Sequence, residues 1–252
     1  MKLPIREFGE RGGVPIVLVA GLFGEGKNLG GIARTLSTNR HVITVDLRNH
    51  GAAPWSDEHS YEAMAQDLIE TFEEFEQIDL LGHSMGGKAA MMVALLRPSF
   101  IGNLLIADIA PVTYEHSHNG LIDAMLGLDL SNVNNRREAD AALSVTIPEN
   151  GVRAFLLHGL SFDDGARWKN NLVVLKRSMP EIIGFPDIDS VFEGRTLFVG
   201  GANSDYIETE HRAAIKGYFP NAYITHIKNA GHWLHVEQAT IFAQIVNDFF
   251  TT

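Results

Sequence analysis

Four apolar runs in the first half of the chain do most to restrict its architecture. Val14-Pro15-Ile16-Val17-Leu18-Val19-Ala20 is nearly continuous in apolar residues and stops at Gly21, the pattern of a strand buried on both faces. Residues 42–46, 78–82 and 104–108 repeat it, each followed by loop or helix-start chemistry. Two later runs, 196–200 and 222–227, complete the series. Between strands lie helical periods: Ala63, Met64, Leu68, Ile69 and Phe72 within 61–75, and Ile241, Ile245 and Phe249 further on. This alternation predicts an α/β fold, a mostly parallel sheet flanked by helices on both faces.

The alternation breaks between residues 111 and 185, which hold helix-like stretches at 120–126, 136–144 and 151–160. We read 111–185 as a small helical cap inserted before the last two strands, on a core made of residues 1–110 and 186–252. The 252 residues, 45% of them hydrophobic, suffice for one sizeable core,. No Ser/Gly-rich linker or fixed-period repeat divides the chain, so a single structural domain is expected,.

A formal charge of −11, with 20 scattered Lys and Arg, argues against a nucleic-acid partner,. With no cysteine there is no disulfide framework, thiolate zinc site or cysteine nucleophile,. Met1-Lys2-Leu3-Pro4-Ile5-Arg6-Glu7 lacks an apolar leader core, and no run of about 18 apolar residues suggests a membrane span,. A cytoplasmic protein is expected, monomer or homodimer. His116 and His118 read as a solvated loop pair, and no histidine spacing calls for a metal,.

Gly82-His83-Ser84-Met85-Gly86-Gly87 carries the chemistry. It fits G-x-S-x-G, with an apolar strand before it and an Ala/Met-rich helix, 88–96, after it,. A serine at such a sharp turn projects its oxygen above the sheet, and the helix N-terminus favours a developing oxyanion. Ser84 is therefore the candidate nucleophile.

A serine hydroxyl needs a base, and His232 in Ala230-Gly231-His232-Trp233-Leu234-His235 follows the last strand, where that base belongs,. His235 reads instead as a first-turn helix residue. Two carboxylates compete for the acid: Asp108 at the end of one strand, which is favoured, and Asp205 after the next, the alternative. Oxyanion donors are expected from the backbone N–H groups of Met85 and Leu22, with Phe23 as the alternative to Leu22. The Gly-rich stretch 21–31 lacks the G-x-x-x-x-G-K-S/T order of a phosphate loop, since Asn28 follows Gly26-Lys27,.

These motifs resemble the YbfF-like short-chain esterases, bacterial α/β-hydrolases with a compact cap. The likeness runs through Gly21-Leu22-Phe23-Gly24, Asp46-Leu47-Arg48-Asn49-His50-Gly51, Met64-Ala65-Gln66-Asp67-Leu68, residues 82–88, Asp108-Ile109-Ala110-Pro111 and Gly231-His232-Trp233. The resemblance implies Ser84 as nucleophile, His232 as base, Asp108 as acid and Ser204 as a supporting hydrogen-bond donor. Two positions depart from the family: Ala20 replaces the histidine before Gly21, and Asp205 replaces the proline after the supporting serine.

The expected reaction is acyl transfer without a cofactor on a small-molecule ester of short chain, with acyl-CoA thioesters as a further family-implied substrate. Phe23, His83, Trp168 and Trp233 are expected to line the pocket. The rival readings are a C–C bond hydrolase or perhydrolase on the same triad, and a hydrolase-fold protein that binds a small ligand without turnover.

Overall fold

The computed structural model describes residues 1–251. Its centre is a seven-stranded sheet built from β1 (Ile5–Phe8), β2 (Ile16–Val19), β3 (Val42–Val45), β4 (Ile78–His83), β5 (Ile101–Ala107), β8 (Arg195–Gly201) and β9 (Tyr223–Ile227). The order is β1-β3-β2-β4-β5-β8-β9, so β4 is the middle strand. Every pair is parallel except β1 with β3. All residues of β2, β3 and β4 are buried, as their predominantly apolar runs predict, with Thr44, Asp79 and His83 buried among them,.

β1 has no counterpart in the sequence reading. Ile5, Arg6 and Glu7 are exposed and Phe8 half-buried, so this antiparallel edge strand buries no face and shows no apolar run,. The expected strands otherwise fall within a few residues of their observed bounds.

Helices cover both faces. On one lie α2 (Tyr61–Thr71) and α3 (Met85–Leu96), whose Leu68, Phe72, Met91 and Val93 share a core with Leu80 and Leu104. Ser60 caps α2 by accepting from the Ala63 amide,. On the other face, α1 (Gly30–Leu36) and α11 (Ala239–Thr251) pack over Leu18, Leu81 and Leu105. The face of α11 differs from the expected one: Phe242, Val246, Phe249 and Phe250 are buried, whereas Ile241 is exposed. A stripe at i, i+4, i+7 and i+8 follows the helical period, while a strict four-residue spacing drifts off it.

Between β5 and β8 the chain adds no strand to the main sheet. It forms α4 (Asn119–Leu126), α5 (Arg136–Leu143), α6 (Asn150–Leu157), a hairpin of β6 (Leu160–Ser161) and β7 (Arg167–Trp168), then α7 (Leu172–Arg177) and α8 (Met179–Ile183). The helix expected over 151–160 stops at Leu157, and after Gly159 the chain turns into the hairpin. Two short helices, α9 (Arg212–Tyr218) and α10 (Leu234–Glu237), complete the fold.

Lys88, in the first turns of α3, joins the two ends of this insertion. Its ammonium donates to the carbonyl oxygens of Val112 (2.8 Å), Ile183 (2.9 Å) and Gly184 (2.5 Å). The face of Tyr114 lies 4.8 Å away. Burial pushes the ammonium down to about 7, while three carbonyl dipoles and the aromatic face stabilise its charge,.

Candidate active site

Five non-glycine residues among those described have positive φ, and three of them, Phe23, Ser84 and Asp108, converge at the top of the sheet. Each such conformation costs about 1–3 kcal/mol and persists only where its surroundings enforce it. Ser84 (φ 54°, ψ −125°) lies between the middle strand and α3. The glycines around it permit close backbone approach: a Cβ on Gly86 would stand 2.4 Å from the Ala20 carbonyl oxygen, and one on Gly21 would stand 2.9 Å from the Ser84 Cβ,.

His232 Nε2 lies 3.0 Å from Ser84 Oγ, and His232 Nδ1 lies 2.8 Å from Asp108 Oδ2. Asp108 is fully buried and extends the β5–β8 ladder through its amide, which donates to the Val199 carbonyl at 2.9 Å. Its carboxylate accepts two further bonds, from the Gly201 amide to Oδ1 (2.8 Å) and from the Ser204 hydroxyl to Oδ2 (2.5 Å). A buried carboxylate so fully partnered avoids the desolvation penalty of an isolated one. Asp205, the alternative acid, is exposed.

The loop after β2 faces the serine. Gly24 donates to the Gly21 carbonyl at 2.9 Å, a backbone bond that closes the turn after Ala20. Among the described residues, no loop backbone acceptor engages the amides of Leu22 or Phe23. Met85 is the first residue of α3, where a helical N–H has no intrahelical acceptor,.

A cavity of about 270 Å³ opens on Ser84 and His232 and is walled by Phe23, Leu121, Val152, Phe155, Leu156 and Trp233. His83 lines it too, and donates from Nε2 to the His232 carbonyl at 2.8 Å. A smaller space of about 20 Å³ lies on another side of Ser84, against Met85, Tyr114 and Ile182.

Trp168 is not part of this cavity. It is buried in the hairpin of the insertion, its indole donating to the Met125 carbonyl at 3.0 Å, so its apolar bulk serves the insertion's own packing. His116 and His118 are not a free solvated pair either: both approach the Tyr206 hydroxyl, at 2.6 and 3.4 Å, and His118 lines the cavity. His235 does lie in the first turn of α10, and it also reaches the cavity, its ring 4.6 Å from that of His83.

Burial holds the neighbouring imidazoles neutral. It drives His83 well below its ordinary value, and His118 and His235 down to about 4,. Sequence reasoning did not find Tyr206, His118, Lys88 or Phe155. Lys88 closes the 82–88 motif without a role being read into it, and the offset of Tyr206, two residues after Ser204, was the other usable signal.

A family profile described as the alpha/beta hydrolase family matches residues 16–245. The chain belongs to the alpha/beta hydrolase family. Within it, the chain is 40% identical over 245 residues to Esterase YbfF of Escherichia coli (strain K12), covering 94% of each. It is also 40% identical over 246 residues to sn-1-specific diacylglycerol lipase ABHD11 of Mus musculus, covering 93% of this chain and 80% of that protein. A solved α/β-hydrolase structure, a marine microorganism esterase, superposes with a TM-score of 0.93 at 37% identity, over 98% of this chain and 99% of the other. Among the described residues, no helix is long and apolar enough to cross a membrane.

Proposed function

We propose that the protein is a serine esterase that cleaves short-chain carboxylic esters through an acyl-enzyme. The observation that carries this reading is the unbroken run Ser84–His232–Asp108, at 3.0 and 2.8 Å, opening on a mainly apolar cavity. The Ser84 hydroxyl attacks the ester carbonyl carbon as its proton passes to His232 Nε2. Asp108 holds the imidazole in the productive tautomer and stabilises the cation that forms.

The amides of Leu22 and Met85 donate to the tetrahedral oxyanion. When the intermediate collapses, the carbonyl carbon loses its bond to the alcohol oxygen, which takes the proton from His232. Water then attacks the acyl-Ser84 ester with His232 again as base, releasing the acid and restoring the serine. Ser204 supports Asp108 by donating to Oδ2.

The substrate class follows from the cavity and the insertion. Residues 111–185 act as a cap, with α4 and α6 supplying Leu121, Val152, Phe155 and Leu156 to the cavity wall. At about 270 Å³ the cavity lies just below the usual span of about 300–1,000 Å³ for ligand sites, which favours a small acyl or alcohol group,. The names of the relatives, one an esterase and one a lipase, support ester cleavage.

A fluorophosphonate probe tests the chemistry. Labelling of the wild type that disappears in Ser84→Ala is expected; equal labelling of both removes Ser84 as the nucleophile, and none of either overturns the reading in favour of a non-catalytic binder. Turnover of p-nitrophenyl esters falling from acetate to about the twelve-carbon acyl chain supports the size limit. Constant or rising turnover refutes it.

A further inference from the structure

The ring of Tyr206 lies flat against that of His232, with centroids 4.1 Å apart and planes inclined by 24°. Tyr206 follows β8 and is fixed at both ends. Its hydroxyl meets His116 Nε2 at 2.6 Å, and its backbone carbonyl accepts from the Tyr114 hydroxyl at 2.6 Å. Tyr114 is held in turn by the Ala110 amide, which donates to its oxygen at 2.8 Å. Burial, with Asp205 and Asp108 nearby, raises the Tyr206 hydroxyl above its ordinary range, so the ring next to His232 stays a neutral phenol.

We infer that Tyr206 is a positioning residue whose aromatic face stabilises the imidazolium that His232 becomes during catalysis. The inference rests on the proposed role of His232 as base. A neutral imidazole gains only dispersion from such a stack, whereas a cation over a π face is also attracted by the ring quadrupole. The interaction is therefore stronger in the transition state than in the resting enzyme, so it raises kcat and leaves substrate binding nearly unchanged.

The surroundings leave this role to Tyr206. Asp108 meets the cation only at its Nδ1 edge, and the nearest other ring, His83 at 4.8 Å, is a neutral imidazole that burial keeps from sharing charge. Tyr206 is 9% exposed and the His232 side chain 25%, so water screens the contact only in part,. The stack also limits rotation of the His232 ring away from Ser84.

A fluorinated series at this position separates charge stabilisation from packing, because stepwise fluorination of phenylalanine withdraws π density while nearly keeping ring shape. In full-length protein carrying phenylalanine, then its mono-, di- and pentafluoro analogues at position 206, kcat for a short-chain p-nitrophenyl ester should fall stepwise. The total drop should be about tenfold, with KM constant within about twofold. Tyr206→Phe keeps the ring and should stay within about threefold of wild type, while Tyr206→Leu should fall at least as far as the pentafluoro variant.

A flat kcat across the series, or a change confined to KM, overturns the inference and leaves the stack as packing. So does Tyr206→Phe falling as low as Tyr206→Leu, which would assign the effect to the hydroxyl. His232→Ala in the same assay separates this failure from that of the underlying reading: retained turnover there removes His232 as base whatever the series shows.

Discussion

The side-chain nitrogen of Lys88 donates to the carbonyl oxygen of Val112 at 2.8 Å, so the helix behind the serine is tied to the first turn of the insertion. The same ammonium holds Ile183 and Gly184 at the insertion's far end. Lys88→Met keeps the length of the side chain but leaves three carbonyl oxygens without this donor. We expect a loss of about 2–4 kcal/mol, read as a lower urea midpoint. An unchanged midpoint would show that the three bonds add nothing over an apolar filler.

Asp108 and Asp205 separate cleanly by substitution. Asp108→Asn should lower kcat by about 10⁴-fold, because the amide cannot hold the same His232 tautomer, while Asp205→Asn should stay within severalfold of wild type. Steady-state kinetics on a short-chain ester decides between them. The reverse order would transfer the acid role to Asp205.

Stability should decline in acid because several imidazoles are buried uncharged. His59 is pushed down to about 3 and His118 and His235 to about 4, by burial first, whereas free imidazoles titrate near 6.5,. Between those values the unfolded chain binds protons that the folded chain does not. The contribution of these groups to stability is thus complete above about pH 6.5 and is lost as the pH falls towards 3. Tm measured across this window should fall less steeply in His59→Gln than in wild type, and identical slopes would exclude His59 as a contributor.

Phe155 of α6 and Trp233 beside the base approach with ring centroids 5.6 Å apart and together wall the cavity. Phe155→Ala removes one side of that wall. The ratio of kcat/KM for an eight-carbon over a four-carbon acyl ester should rise by about tenfold or more, since each added methylene accommodated is worth about 1–3 kcal/mol. A ratio that stays put would place the acyl chain elsewhere.

Ser84 and Asp108 could be singled out because each follows directly on a strand with a strong apolar run, and His232 because a Gly-containing turn follows the last strand. Asp108 stood ahead of Asp205 on the same local grounds, and the two differ in burial as that order suggested. Tyr206 and His118 were not legible, because their significance lies in a meeting across 88 residues of chain that no local period encodes. β1 escaped for the opposite reason. Its exposed Arg6 and Glu7 satisfy an edge ladder and leave no hydrophobic trace. Trp168 misled because a large aromatic near a presumed cleft serves a wall or a core equally well, and only its indole bond to Met125 places it in the core.

The pairing of β5 with β8 has a consequence for how such a molecule can change over time. Ala107 faces Val199 across the parallel ladder, so the C-terminal ends of β5 and β8 lie side by side at the top of the sheet. Asp108 departs from one strand, while Gly201 and Ser204, its partners, lie at and just beyond the end of the other. The length of polypeptide looped between them has no leverage on the carboxylate. Change within that stretch can therefore retune what the cavity admits without unseating the carboxylate, so long as Tyr114 and His116 keep their hold on Tyr206.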